Sequence, residues 1–378
     1  MTIPNSTIGP GSTIGIIGGG QLGRMLAIAA AQLGYKCHIY APDEAPPAAE
    51  VAAQCTRGSF DDEAALARFG ASVDVATYEF ENIAAGPLAA LAAEAPLFPP
   101  RQALEVAQDR LTEKSFVAGL GGRTAPFAPV DDEAALARAL ETIGAPAILK
   151  TRRFGYDGKG QARIGSAADL RRVFGEWKRV PCVLEELLAL EREISVVLAR
   201  ADDGEIAVFP VAENRHAGGI LDVSIAPARI PPELAGQAAA LASRLATELD
   251  YVGVLALEMF VVGGKLLLNE IAPRPHNSGH YTIDACRTSQ FEQQVRVLCG
   301  LPLADPSQHT PAVMVNLLGD IWRQGEPHWE AVLRHAGAHL HLYGKREARP
   351  RRKMGHVTVC EAAPERALEV AFAIRRDL

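Results

Sequence analysis

Apolar positions in the first hundred residues switch between short strand-like runs and stripes with helical spacing. Thr13-Ile14-Gly15-Ile16-Ile17 reads as a strand. Leu22, Met25, Leu26, Ala29, Ala30 and Leu33 then recur three and four apart, on one helix face, until Gly34 stops them. Residues 36–40 alternate like a second strand, residues 61–69 read as a helix capped by Asp61 or Asp62, and residues 73–77 as a third strand. This alternation predicts a parallel sheet with crossover helices. Residues 1–12, rich in Gly, Pro, Ser and Thr, read as a frayed tail, and Pro96, Pro99 and Pro100 end the first unit near residue 100.

The pattern then changes. Residues 101–121 read as one helix and residues 147–150 as a strand running into a glycine-rich loop. Further strands are expected at 182–186, 193–198 and 206–210, and a helix at 232–249. Two apolar runs, 252–262 and 266–271, flank Gly263-Gly264 as in a hairpin. Composition shifts again near residue 304, where a closing unit has strands at 313–317, 338–343 and 356–360 and a final helix. The expected class is therefore α/β (α+β) in three parts, 13–100, 101–303 and 304–378.

With 378 residues, 48% hydrophobic and 22% charged, the chain has ample apolar material for two to three cores at roughly 150 residues each. Its 38 Lys and Arg against 45 Asp and Glu leave a net charge of −7, which argues against a general nucleic-acid partner. No run approaches the ~20 apolar residues of a membrane span, and the first residues lack the basic and apolar segments of a secretion signal. The six cysteines are scattered, without metal spacing, and read as reduced thiols of a cytoplasmic enzyme.

Gly18-x-Gly20-x-x-Gly23 follows a strand and opens a helix, and Asp43 lies downstream. That spacing matches a dinucleotide-binding turn, whose backbone N–H groups hold a pyrophosphate at the helix start. It is equally compatible with another phosphate ligand or with a tight structural turn.

The central unit carries more chemistry. Lys150 ends an apolar strand just before Gly155-Tyr156-Asp157-Gly158-Lys159-Gly160-Gln161, so an ammonium and a flexible loop lie side by side, as triphosphate binding requires. Glu258 and Asn269-Glu270 sit inside the two apolar runs of the hairpin, where acids seldom lie without a partner or a metal. A three-residue loop at Gly263-Gly264-Lys265 would set Glu258 opposite Glu270. A two-residue Gly-Gly loop would set Glu258 opposite Asn269 and turn Glu270 away. The three-residue loop is the expectation. It puts two carboxylates and an amide oxygen on one surface, a donor set suited to Mg²⁺. Pro273-Arg274-Pro275-His276-Asn277-Ser278 follows directly and delivers a guanidinium able to fork onto an oxyanion.

Taken together, GGGQLGRM at 18–25, YEFEN at 78–82, Gln108-Asp109-Arg110, FGYDGKGQ at 154–161, Asn214-Arg215-His216, NEIAPRPHNSGH at 269–280 and the stretch 343–356 resemble the ATP-grasp enzymes. Within these they are similar to the 5-(carboxyamino)imidazole ribonucleotide synthetases of purine biosynthesis, over nearly the whole chain. The resemblance implies a Rossmann-like first domain, an ATP-grasp domain and a small β-rich C-terminal domain. It implies ATP and Mg²⁺ as cofactors, and aminoimidazole ribonucleotide and bicarbonate as small-molecule partners; a homodimer is expected from apolar surface helices in the first and last domains. Arg110, Lys150, the loop 155–161 (Gly155, Tyr156, Asp157, Gly158, Lys159, Gly160, Gln161), the hinge Glu185-Glu186-Leu187-Leu188, Glu193, His216, Asn269 and Glu270 match its ATP positions. Glu258 and Glu270 match its Mg²⁺ ligands.

By the same resemblance the first glycine loop receives the ribonucleotide rather than NAD, through Gly20, Gln21 and Leu22 with Glu79 or Glu81 nearby. Tyr156, Asp157, His276, Asn277 and Ser278 match contacts to that substrate, Arg274 the holder of bicarbonate and carboxyphosphate, and Lys150, Arg274 and His276 the catalytic groups. Lys345 and Arg352, in the basic run 345–353, match binders of the 5′-phosphate. Arg351 stands where the family usually has glycine. The rival readings are a sister ATP-grasp ligase acting on glycinamide ribonucleotide or biotin, an NAD(P)-dependent dehydrogenase, and an RNA-binding protein resting on the 345–353 run alone.

Overall fold

In the computed structural model, which describes residues 7–155 and 157–378, the first apolar run forms β1 (Thr13–Ile17), with Ile14, Ile16 and Ile17 fully buried. β1 lies parallel between β2 (Lys36–Ala41) and β4 (Val75–Tyr78), and β3 (Gln54–Arg57) completes the order β3-β2-β1-β4. The expected parallel sheet is thus present, with β3 as a strand the pattern did not reveal. Helix Gln21–Gln32 buries Leu22, Met25 and Leu26 against it, and Asp62, not Asp61, caps helix Glu63–Gly70. Residues 1–6 of the expected tail lie outside the described residues. Residues 8–12 are not frayed: Ile8 N–H donates to the Cys299 carbonyl at 3.0 Å, and the Tyr35 hydroxyl donates to the Ile8 carbonyl at 2.7 Å.

The helix expected over 101–121 is broken into Arg101–Ala107 and Arg110–Gly119. Asp109 is the cause. Its carboxylate accepts from the Leu111 and Thr112 N–H groups, the cap geometry that competes with helix continuation. Beyond it, β5 (Phe127–Val130), β6 (Ala147–Thr151), β7 (Gln161–Ile164) and β8 (Cys182–Glu186) form an antiparallel sheet in the order β5-β8-β6-β7. Its core includes Leu149, Leu170, Phe174 and Leu184.

The largest sheet comprises β9 (Arg192–Arg200), β10 (Ile206–Val208), β11 (Ala212–Ala217), β12 (Ile220–Ala226), β13 (Gly253–Val262), β14 (Lys265–Ala272), β15 (Ala312–Leu318), β16 (Ala338–Leu342) and β17 (Lys353–Cys360). Its order is β14-β13-β9-β11-β12-β15-β17-β16, with β10 added on β9. The pairing of β12 with β15 carries this sheet straight through the composition change near residue 304.

The β13–β14 hairpin corrects one expectation and preserves its consequence. Val262 pairs with Lys265, so the loop is the two-residue Gly263-Gly264, with φ of +56° and +68° as a tight hairpin turn requires. The register then slips beyond Met259–Leu268, and Glu258 pairs with Glu270. Asn269 is the extra residue of a β-bulge. Among the described residues no helix is long and apolar enough to cross a membrane.

Candidate active site

The three units enclose one cavity of about 640 Å³, within the range of small-molecule sites. The first glycine loop supplies Gly20, Gln21 and Leu22, β6 and its loop supply Lys150, Asp157, Gly158, Lys159 and Gln161, and β13–β14 supply Glu258, Asn269 and Glu270. Arg274, His276 and Asn277 follow β14, Lys345 follows β16, and Lys353 opens β17.

The bulge sets the acid pair. Glu258 and Glu270 face the same cavity, Asn269 Nδ2 donates to Glu258 at 3.4 Å, and Arg110 Nη2 reaches Glu270 at 3.4 Å. Burial raises the pKa of Glu258, and the neighbouring Glu270 and Glu193 carboxylates push the same way against His216. His216 Nδ1 lies 2.6 Å from Glu193; burial opposes its charging, but Glu193 and Glu258 outweigh this and raise its pKa. The result is a cluster of three carboxylates, Glu193, Glu258 and Glu270, interleaved with His216 and Arg110.

Lys150 is buried beneath it. Its Nζ donates to Glu185 Oε2 at 2.8 Å and lies 3.5 Å from Asn269 Oδ1, while Lys114 Nζ pairs with Glu185 Oε1 at 3.2 Å. Burial lowers the pKa of Lys150; it works to raise that of Glu185, but the two lysines prevail and keep the carboxylate ionised. Glu185, expected on the nucleotide, therefore also aims Lys150. Lys114 went unnoticed in the sequence, because one lysine on a polar helix face carries no local signal.

The first glycine loop explains why its dinucleotide spacing misleads. Gly20 N–H donates to Glu79 Oε1 at 2.8 Å and Gly23 N–H to Glu79 Oε2 at 3.1 Å. The chain's own carboxylate occupies the donors a pyrophosphate would need. Burial raises the pKa of Glu79, opposed by those two hydrogen bonds. Glu81 points elsewhere and pairs with Arg274 Nε. Burial disfavours both charges of this pair, yet their attraction lowers the pKa of Glu81 and raises that of Arg274.

The C-terminal loop closes the opposite wall. Lys345 Nζ donates to Gln21 Oε1 and to the Lys353 carbonyl, both at 2.6 Å, joining the loop to the first glycine turn. Burial, with Arg352 adding to it, brings the pKa of Lys345 down to about 8. Lys353 Nζ bonds Asp157 Oδ1 at 2.8 Å and so reaches the glycine loop after β6.

Sequence models of known domain families match this chain in three stretches. A ribonucleotide synthetase preATP-grasp domain matches residues 12–108, an ATP-grasp domain residues 115–291, and a phosphoribosylaminoimidazole carboxylase C-terminal domain residues 312–370. The N5-carboxyaminoimidazole ribonucleotide synthase of Brucella melitensis is 49% identical over 356 residues, 93% of this chain and 97% of its own. The chain belongs to the N5-carboxyaminoimidazole ribonucleotide synthase family. A solved synthetase of the family in complex with ADP has a TM-score of 0.92 at 45% identity, covering 98% of each chain. The Aspergillus clavatus synthase in complex with ADP and 5-aminoimidazole ribonucleotide has a TM-score of 0.88 at 30% identity, covering 97% of this chain and 99% of its own. The fold is the three-part ATP-grasp architecture of the synthase family, and the enzyme class is that of its ATP-dependent ligases.

Of the positions implied by resemblance to that family, the cavity gathers Arg110, Lys150, Asp157, Gly158, Lys159, Gln161, Glu185, Glu186, Leu187, Leu188, Glu193 and His216, besides those already named. Gly155, Gly160, Ser278 and Arg352 do not line it, and Tyr156 lies outside the described residues. Ser278 is fully buried behind His276, accepting from Ser195 Oγ at 2.7 Å and lying 2.9 Å from His276 Nδ1. Arg352 donates instead to the Glu347 carbonyl at 2.9 Å. Lys353 and Lys114 are contributors that the sequence reading assigned no role.

Proposed function

We propose that the chain carboxylates 5-aminoimidazole ribonucleotide with bicarbonate and ATP, yielding 5-(carboxyamino)imidazole ribonucleotide, ADP and phosphate. The observation that carries this reading is the single cavity in which an ATP-grasp lysine and acid pair face the Gln21–Lys345 wall. One end suits a polyphosphate and the other a phosphorylated ribonucleotide, and Arg274 lines the same cavity.

The acid pair fits a divalent cation, because Glu258 and Glu270 bring two hard oxygen donors together, and their mutual repulsion, part of what raises the pKa of Glu258, is what a cation would relieve. Among the described residues no group of three or more His, Cys, Asp or Glu side chains forms a complete metal site, so phosphate oxygens and water would supply the other ligands. Bound there, Mg²⁺ would neutralise phosphate charge. In the proposed sequence bicarbonate oxygen attacks the γ-phosphorus, the bond to the ADP oxygen breaks, and carboxyphosphate forms. The substrate amine nitrogen then bonds the carboxyl carbon, the C–O bond to phosphate breaks, and phosphate leaves with the proton the amine gives up. Lys150 offsets charge on the transferring group, and Arg274, held by Glu81, presents its remaining N–H donors to the carboxyl oxygens. Ser278 N–H donates to His276 Nδ1, so the ring proton sits on Nε2, 3.5 Å from Glu258. His276 is thereby arranged as a donor to an oxyanion rather than as a base.

The reading includes a cytoplasmic homodimer. Ile28 and Leu333, 42% and 65% exposed on the first and last units, are apolar positions available to a dimer interface, which sedimentation velocity would test. For the activity, ADP release is measured with aminoimidazole ribonucleotide plus bicarbonate and, separately, with glycinamide ribonucleotide plus formate. Turnover is expected with the first pair alone; turnover with the second pair alone would replace this reading by that of a sister ligase.

A further inference from the structure

Arg351 has a backbone φ of +66°, the left-handed region that favours glycine. Two contacts hold it there. Its N–H donates to Asp320 Oδ2 at 2.7 Å, and its Nη2 donates to the Gly218 carbonyl at 2.8 Å. Gly218 and Gly219 form the tip of the β11–β12 hairpin, with φ of +57° and +81°. This tip meets the glycine loop after β6 backbone to backbone. A Cβ on Gly219 would come within 2.6 Å of Gly158 Cα, and one on Gly158 within 2.9 Å of the Gly218 oxygen. Two positions farther on, Lys353 bonds Asp157 of the same loop at 2.8 Å.

We propose that Arg351 is a positioning residue: by gripping the Gly218 carbonyl it latches the C-terminal basic loop to the hairpin tip against which Gly158 packs, and so links filling of the ribonucleotide end of the cavity to closure over ATP. The inference rests on reading 155–161 as the ATP flap and 345–353 as the ribonucleotide phosphate loop. The latch is not needed to build either loop, because Asp320 and Glu347 hold the C-terminal loop independently. Its work is to keep the two in register.

The test compares wild type, Arg351→Gly and Arg351→Lys. Glycine suits the backbone conformation, so the melting temperature of Arg351→Gly should equal or exceed that of wild type. Without the latch, the KM for ATP should rise about three- to tenfold, the scale of losing one solvent-exposed hydrogen bond, with a much smaller change in kcat. Arg351→Lys keeps a charged donor and should fall between the two.

A second readout does not need turnover. Trypsin cleavage after Lys159 is followed with ADP alone and with ADP plus the ribonucleotide. In wild type the ribonucleotide should slow cleavage further, and in Arg351→Gly that extra protection should be lost. Equal KM for ATP and equal ribonucleotide-dependent protection in both proteins would overturn the latch. A wild-type protein with no ribonucleotide-dependent ADP release would overturn the proposed reaction instead, while the protease comparison would still report on Arg351.

Discussion

Glu258 and Glu270 stand opposite each other only because Asn269 is an extra residue in β14. With a two-residue turn and an unbroken ladder, side-chain alternation would place Asn269 opposite Glu258 and send Glu270 to the far face. The bulge also turns the Asn269 amide between Glu258 and Lys150.

Glu270→Gln is expected to reduce ribonucleotide-dependent ADP release by about 10²–10³-fold, the usual scale for losing one element of transition-state charge stabilisation. Glu258→Gln should behave similarly. Glu258→Gln should not lower the melting temperature without magnesium, because it removes a carboxylate from beside Glu270 and Glu193, whereas Glu270→Gln also gives up the Arg110 ion pair and should lower it modestly. In wild type added Mg²⁺ with ADP should raise the melting temperature, and in either variant that rise should shrink. Wild-type turnover in purified Glu270→Gln would remove the acid pair from the chemistry.

Glu79 binds the Gly20 and Gly23 N–H groups at the start of helix Gln21–Gln32. Glu79→Ala exposes both donors and should cost about 1–3 kcal/mol in urea unfolding. Glu79→Gln, which keeps one acceptor oxygen, should cost less. The same occupancy predicts no measurable NAD binding by calorimetry; saturable NAD binding at micromolar concentration would show that Glu79 yields its place.

Lys345 loses its proton near pH 8, because burial and Arg352 disfavour the ammonium. In its proposed role as the partner of a phosphate it must be charged, so the ribonucleotide KM should be flat below about pH 7.5. It should then climb above pH 8, approaching tenfold per pH unit. Lys345→Arg should abolish this rise and Lys345→Ala should raise KM throughout. A wild-type KM independent of pH between 7 and 9.5 would exclude Lys345 from phosphate recognition.

Glu113 lies buried behind β14, where its Oε1 accepts from Ile271 N–H. Burial first, and the Glu270 charge second, push its pKa from 4.5 up to about 8. The folded state therefore holds a proton that the unfolded chain releases near 4.5. Stability from this proton is full below pH 4.5 and is lost as pH rises through about 8. Glu113→Gln retains an acceptor oxygen but cannot titrate. In EDTA its melting temperature should fall less than that of wild type between pH 5 and 8.5 and should exceed it at pH 8.5. Parallel curves would mean that Glu113 is ionised in the fold.

Much of this arrangement could be read from local pattern. The spacing of Leu22, Met25 and Leu26 marked a helix over a strand, and acids within apolar strands marked a site. Lys150 before a glycine loop marked a phosphate-seeking region, whereas the 345–353 basic run acquired its phosphate role only through the family resemblance. The helix over 101–121 was misread because apolar spacing continues through Asp109, whereas the capping bonds that break the helix depend on side-chain geometry. The dinucleotide spacing was correct as a backbone motif, but its donors are taken by a carboxylate 59 residues away from Gly20.

The sequence alone determined the alternation of elements and the residue types able to handle phosphate and metal, because periodicity and composition are properties of neighbours along the chain, and the resemblance of its motifs to known enzymes gave the family. Tertiary structure alone decided which of those residues meet. The bulge at Asn269, the Lys114–Glu185–Lys150 cluster and the Lys345–Gln21 bond, whose partners are 324 residues apart, come from strand register and from packing between distant segments. No local pattern encodes such contacts, since each is selected by burial and hydrogen-bond satisfaction over the whole fold.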